Sequence, residues 1–316
     1  MKKRTIFITC GIVLASIAAI LTGGSLYMLN FSLRPDNRGK DMAGSMEYMR
    51  NTYLQIVPWV DSLNQHKALR DTFITSPDGL KMHAFYAYAS RPTKRTAVIV
   101  HGYTDNAIRM FHIGYLYNHE LDYNVLLPDL RYTGLSEGDA IQMGWLDRKD
   151  VLQWIDIAPT LFGDSLQAVV HGISMGAATT MMVSGEAQQP FVKCFVEDCG
   201  YTSVWDEFSF QLKDMFRLPE FPLMYTTSWL CNAKYGWNFQ EASSLEQVKK
   251  CSLPMFFIHG DADTYVPTRM VYPLYKAKSE PKELWIVPGA THAMSYKDYP
   301  QEYTERVKKF VGKYIR

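Results

Sequence analysis

The stretch Val169–Gly185, VVHGISMGAATTMMVSG, sets one serine, Ser174, between Gly172 and Gly176, after an apolar run and before a helix-like one. Glycine is costly inside regular structure, so two of them around one hydroxyl need a steric reason. A strand ending in Val-Val and a helix beginning at Ala-Ala-Thr-Thr leave room only for a tight turn. A serine at its tip takes a strained backbone, and side chains at the flanking positions would collide. The turn presents the Ser174 hydroxyl at the C-terminal edge of a sheet, with the helix N-terminus facing any developing negative charge. The G-x-S-x-G pattern alone is weak, arising by chance in roughly one chain in ten or twenty at average Gly and Ser usage. Its position between a buried strand and a helix makes it strong. The bland alternative is a Gly-rich helix start capped by Ser.

Outward from this turn the chain alternates. "TAVIVHG", "YNVLLPDL", "LQAVVHGI", "VKCFVEDCG", "PMFFIHG" and "KELWIVPGA" are short apolar runs suited to strands buried on both faces. Helical patterns separate them, in "NAIRMFHIGYLYNHEL", "GWLDRKDVLQWIDIAPTLF", the segment after Ser174, the segment from Pro267 and "YTERVKKFVGKYI". This alternation predicts an α/β fold with a mostly parallel, doubly wound sheet. "DTFITSPDGLKMHAFYAYA" reads as an antiparallel hairpin around a Pro-Asp-Gly turn at the sheet edge. After the sixth strand, residues 201–238 break the rhythm with a dense set of aromatics, including Trp205, Phe208, Phe216, Phe221 and Trp229. Insertions there overhang the ligand crevice of such sheets, so a helical lid is expected, with Phe216 and Phe221 as candidate pocket residues. The alternative is aromatics that simply pack on the core.

A serine hydroxyl needs a base. His292, in the loop "VPGATHAMSY" after the last strand, is placed for that role. His66 and His83 precede the core sheet, and His112 and His119 fall on a helix. His101, His171 and His259 precede glycines at strand ends, where they line the site or make structural hydrogen bonds. The base needs an orienting carboxylate. "FFIHGDADTYVP" offers Asp261 and Asp263; Asp263 lies mid-loop and is preferred, with Asp198 of "VEDCG" as a rival. An oxyanion needs two donors. The backbone N–H of Met175 supplies one and that of Tyr103, in the loop "HGYTDN", the other.

"VIVHGYTDN", "LLPDLRYTGLSEG", "GISMGAATT", "IHGDADTYVP" and "GATHAMS" together resemble the α/β-hydrolase superfamily, over about Thr72 to the C-terminus. Within it the chain is similar to bacterial membrane-anchored or exported hydrolases related to the serine-peptidase and cinnamoyl-esterase-like branches. The resemblance implies a nucleophile, acid and base in the order Ser174, Asp263, His292, favours Asp263 from its distance to Val266 and Pro267, and implies no cofactor and no metal. It implies a serine hydrolase, read here as a carboxylic ester hydrolase acting through an acyl-enzyme on small acyl or aryl esters. A peptidase or amidase is the enzymatic alternative, and a non-catalytic binding protein on the same scaffold the alternative of another class.

Residues 1–33 open with Lys2, Lys3 and Arg4 and then carry no charged residue from Thr5 to Leu33. About 20 apolar residues cross a bilayer as a helix, longer than the core of a typical cleaved signal. An uncleaved signal anchor is expected, with export after cleavage near Gly23–Ser25 as the alternative. The basic flank puts the N-terminus in the cytoplasm and the hydrolase domain outside, although Arg34, Arg38 and Lys40 oppose that orientation. Residues 34–71 read as a helical linker interrupted by Pro58, and residues 72–316 as the hydrolase domain. With 47% apolar residues, 14% aromatics and a net charge of +1, composition points away from disorder and from nucleic acid. Cys194, Cys199, Cys231 and Cys251 are open to pairing or to burial as thiols, and no spacing resembles a metal site.

Overall fold

Apolar runs without polar alternation have to be covered on both sides, and the architecture does this. In the computed structural model, which describes residues 2–35 and 37–316, the strands are β1 Arg70–Thr75, β2 Lys81–Ala87, β3 Arg95–Val100, β4 Asn124–Pro128, β5 Gln167–Ile173, β6 Val192–Asp198, β7 Met255–Gly260 and β8 Lys282–Val287. They form one sheet in the order β1-β2-β4-β3-β5-β6-β7-β8. β2 is antiparallel to both neighbours and every other pairing is parallel. The hairpin therefore occupies the edge, with Pro77, Asp78 and Gly79 at its turn. Chain direction across the sheet reverses between β3 and β5, because β4 lies on one side of β3 and β5 on the other. Open parallel sheets bind ligands at that switch point, beyond the strand C-termini.

The helices are α1 Lys2–Leu33, α2 Met42–Thr52, α3 Val57–Gln65, α4 Phe111–Tyr115, α5 Asp147–Phe162, α6 Met175–Ser184, α7 Val204–Phe216, α8 Leu223–Tyr235, α9 Ser244–Val248, α10 Val271–Ala277, α11 Ser295–Asp298 and α12 Pro300–Val311. Successive residues of β3 feed opposite cores, as period-2 geometry requires. Val98 and Val100 join Trp154 of α5, Met181 of α6 and Leu212 of α7 on one face. Ala97 and Ile99 join Val60 of α3, Phe111 of α4 and Phe310 of α12 on the other.

Local readings differ from the structure in two places. The helix expected over "NAIRMFHIGYLYNHEL" is broken into a tight turn at Ala107–Met110, α4, and a widened turn at Leu116–Glu120. Pro58 sits in the first turn of α3, where its missing N–H costs nothing, so it starts a helix instead of interrupting one. Residues 34–71 hold α2 and α3, and Met49, Trp59, Val60 and Leu63 are buried against the sheet. The four core cysteines are buried thiols and Cys10 is an exposed one.

Candidate active site

Ser174 sits between β5 and α6 with φ 58° and ψ −121°, a conformation that costs a non-glycine residue roughly 1–3 kcal/mol. The surroundings hold it there. Its N–H donates to the carbonyl of Asp198 at 2.8 Å, tying the turn to the end of β6. A methyl group on Gly172 would collide with the carbonyl oxygen of Gly176, and one on Gly176 with the carbonyl oxygen of Val100. The two glycines thus let α6 start directly against β3 and β5, which is the steric reason the sequence pattern demanded.

Three loop ends converge on this turn. Ser174 Oγ lies 2.8 Å from His292 Nε2, and His292 Nδ1 lies 2.8 Å from Asp263 Oδ2. With the Nδ1 proton donated to the carboxylate, Nε2 is left as acceptor for the Ser174 hydroxyl. The other carboxylate oxygen, Oδ1, accepts from the N–H groups of Tyr265 and Val266 at 2.9 and 3.0 Å, which fixes the plane of the acid. Burial pushes the Asp263 pKa up, but hydrogen bonds from His259 and His292 outweigh it and hold the group down at about 2. Asp263 is therefore an anion at neutral pH.

The rival carboxylates are engaged elsewhere. Asp261 Oδ1 accepts from the N–H of Gly289 at 2.6 Å and fastens the β7 loop to the β8 loop. Asp198 accepts from the hydroxyls of Ser295 and Tyr303, both at 3.1 Å, and burial pushes its pKa up to about 6. His101 accepts from the N–H of Leu130 at Nε2, and His171 lies between the hydroxyls of Tyr117 and Tyr303. Both brace the core.

His259 has a larger part than its position before a glycine suggested. Its Nε2 is 3.4 Å from Asp263 Oδ2, the oxygen that His292 also meets, and donates to the carbonyl of Val266 at 2.9 Å. Burial lowers the His259 pKa, but Asp263, the charge of Glu197 and the Val266 carbonyl together reverse this and the net shift is upward. Beside it, burial pushes Glu197 up to about 8. The sequence signal was the spacing, four residues before the acid across the end of β7. Cys199, Asp263 and His292 also place possible ligand atoms within 4.8 Å of one another. Burial pushes the Cys199 thiol well above its usual value, and His292 and Asp263 already bond each other, so this donor set is poorly suited to a cation.

A cavity of about 500 Å³ opens over Ser174. Its floor is Ser174, Met175 and Tyr103, the last two being the residues singled out as oxyanion donors. Phe208, Leu212 and Phe216 of α7 and Met224 of α8 form one wall. Met28, Phe31 and Ser32 of α1 form another, which nothing in the sequence had indicated. Tyr103 Oη donates to the Ser32 carbonyl at 2.8 Å, and Phe31 meets Phe216 edge-on with centroids 5.3 Å apart. Of the two aromatics expected in the pocket, Phe216 lines it. Phe221 does not: it stands between α7 and α8, 72% exposed, its ring edge-on to Tyr225, because α7 ends at Phe216 and Phe221 falls in the loop beyond it.

The sheet order, the serine turn and the helical insertion define a serine hydrolase of the α/β-hydrolase superfamily. The esterase Pf2001 of Pyrococcus furiosus shares this fold, with a TM-score of 0.64 and 23% identity over 78% of this chain and 93% of that one. So does an acylaminoacyl peptidase of Pyrococcus horikoshii, with a TM-score of 0.56 and 17% identity over 77% of this chain and 40% of that one. More narrowly, the sequence profile of the prolyl oligopeptidase family matches residues 120–316, and the chain belongs to that family. The uncharacterized protein YqkD of Bacillus subtilis is 28% identical over 226 residues, 72% of this chain and 74% of its own length.

Proposed function

We propose that the protein is a carboxylic ester hydrolase working through an acyl-enzyme on Ser174. The observation that carries the reading is the unbroken chain Ser174 Oγ, His292, Asp263, with both links at 2.8 Å, at the floor of an apolar cavity. Ser174 Oγ attacks the ester carbonyl as its proton passes to His292 Nε2. The tetrahedral oxyanion is held by the backbone N–H groups of Met175 and Tyr103. His292 returns the proton to the leaving alcohol, then takes one from water, whose oxygen attacks the acyl carbon and frees the acid. Asp263 keeps the imidazole oriented and supports its positive charge. The apolar walls favour acyl or aryl groups. A graded series of p-nitrophenyl esters, run beside aminoacyl-nitroanilides, tests this: ester turnover that depends on acyl length is expected. Turnover of nitroanilides alone favours the second reading, a peptidase, which membership of the prolyl oligopeptidase family supports. Turnover of neither, by folded protein, favours a binding protein on the same scaffold.

The same reading extends to the chain's organisation: residues 1–33 anchor the protein in a membrane, residues 34–71 join the anchor to the body, and residues 72–316 act outside the cytoplasm. α1 is long and apolar enough to cross a bilayer, and every residue from Arg4 to Ile20 is exposed. The basic residues at the start of the chain support an inward N-terminus. Full-length protein should stay with membranes through alkaline carbonate and be cut by protease added outside. Release of a chain beginning near Ser25 would indicate a cleaved signal instead.

A further inference from the structure

The cavity over Ser174 and the apolar N-terminal helix are parts of one structure. α1 leaves its exposed stretch and lies along the α7–α8 hairpin from Gly24 onward. A methyl group on Gly24 would touch Leu223 Cδ1 at 3.4 Å, and Ser25 Oγ donates to Thr226 Oγ1 at 2.7 Å. From Thr5 to Gly24 the helix is about 30 Å long, the thickness of a bilayer's hydrocarbon core. On the anchor reading Gly24 falls at the membrane boundary, and the start of α8 stands level with it.

The tip of the hairpin at that level exposes several large apolar side chains, with the charged Asp214, Arg217 and Glu220 beside them in the chain. Met215 is 55% exposed, Leu218 42%, Phe221 72% and Tyr225 51%, and the rings of Phe221 and Tyr225 meet edge-on. Contiguous exposed apolar side chains on a soluble domain mark an interaction surface. Its occupant follows from the adjoining helix, since a tip beside a membrane-crossing segment at the boundary faces lipid. Leu223, level with Gly24, also lines the cavity, as does Met28 one turn further on. The cavity continues to Ser32, which is bonded to Tyr103 beside Ser174. Gly24 to Ser32 spans about 12 Å of helix. The lining of this one cavity thus runs from Leu223 and Met28 to Ser174, with α1 on one side and the hairpin on the other, and Arg34, Arg38 and Glu207 are its charged members.

We propose that the hairpin tip is seated in the bilayer beside α1, and that the substrate is a bilayer-borne amphiphile, a long-chain fatty acyl ester whose chain enters between α1 and the hairpin. This rests on the hydrolase and anchor readings above. The acyl carbonyl reaches Ser174 from the membrane side, the fatty acid leaves by the same passage, and the alcohol headgroup departs to water.

The test uses full-length protein in phosphatidylcholine nanodiscs. The first readout is independent of activity. In Phe221→Trp, fluorescence added over the parent protein should be strongly quenched by brominated phosphatidylcholine, whereas that added in Lys309→Trp, on the exposed face of α12, should not. The second readout compares 1-monooleoylglycerol held in the disc with soluble p-nitrophenyl butyrate. Leu218→Glu/Phe221→Glu should lower kcat/KM for the disc-held ester at least tenfold and leave the soluble ester within twofold. An unquenched tip, equal losses on both esters, or no turnover of the disc-held ester by enzyme that cleaves the soluble one overturns the proposal and leaves the hydrolase reading standing. If Ser174→Ala still cleaves the soluble ester, the hydrolase reading falls and the proposal with it.

Discussion

The floor of the cavity and its outer walls are built by different means. The floor is backbone geometry: a strained serine, two glycines that admit carbonyl oxygens where methyl groups would stand, and an acid pinned by two main-chain N–H groups. The walls are side-chain packing between segments nearly 200 residues apart, such as Phe31 on Phe216 and Ser25 on Thr226. Close-packed backbone tolerates almost no substitution, whereas packed rings can be trimmed at a cost set by the apolar surface they give up. Under the function proposed above, chemistry falls to the floor and selectivity to the walls.

The sharpest way to break that contrast is at the acid. Asp263→Asn leaves the shape of the floor intact but removes the charge that supports His292, and should lower kcat by about 10⁴-fold. Asp198→Asn, whose partners are Ser295 and Tyr303, should cost far less. Ester kinetics on the two variants check this, and a reversed order would move the acid to the end of β6.

On the wall, Phe216→Ala should shift the preference among acyl lengths by roughly 10–200-fold, the worth of one apolar contact in a pocket, with a modest fall in Tm. A large fall in Tm with an unchanged profile would make Phe216 a core residue and the wall no different from the floor.

A smaller effect sharpens the picture at Glu207 of α7, which lines the cavity. Burial raises its pKa from 4.5 to about 8. With the folded value above the unfolded one, the protonated group's contribution to stability is complete below about pH 4.5 and is lost as the pH rises through about 8. Glutamine is neutral throughout. Glu207→Gln should melt with the parent at pH 5 and roughly 2–4 °C above it at pH 9, if about 1 kcal/mol is recovered. Identical melting at both values would mean that Glu207 titrates as an exposed carboxyl.

The same division governs what the amino-acid sequence discloses. Strands are legible because a strand covered on both faces must be apolar throughout, and β5 begins and ends within a residue of "LQAVVHGI". The meeting of Ser174, Asp263 and His292 is legible because each follows a strand at one edge of the sheet, which brings distant loops together whatever lies between. His259 was visible only as a histidine before a glycine, since its partner is set by how β7 ends. The α1 wall was hidden, because an apolar helix carries no mark of which neighbour it will lie against. Phe221 and Phe216 look alike in sequence, and only where α7 ends separates an exposed ring from one that lines the cavity.

The central claim is that Ser174 is an activated nucleophile, and covalent capture addresses it directly. Full-length protein treated with a fluorophosphonate should carry one adduct, on the peptide containing Ser174, formed in step with the loss of ester hydrolysis and absent in Ser174→Ala. No adduct on folded protein, or an adduct on another residue accompanying the loss of activity, would contradict it.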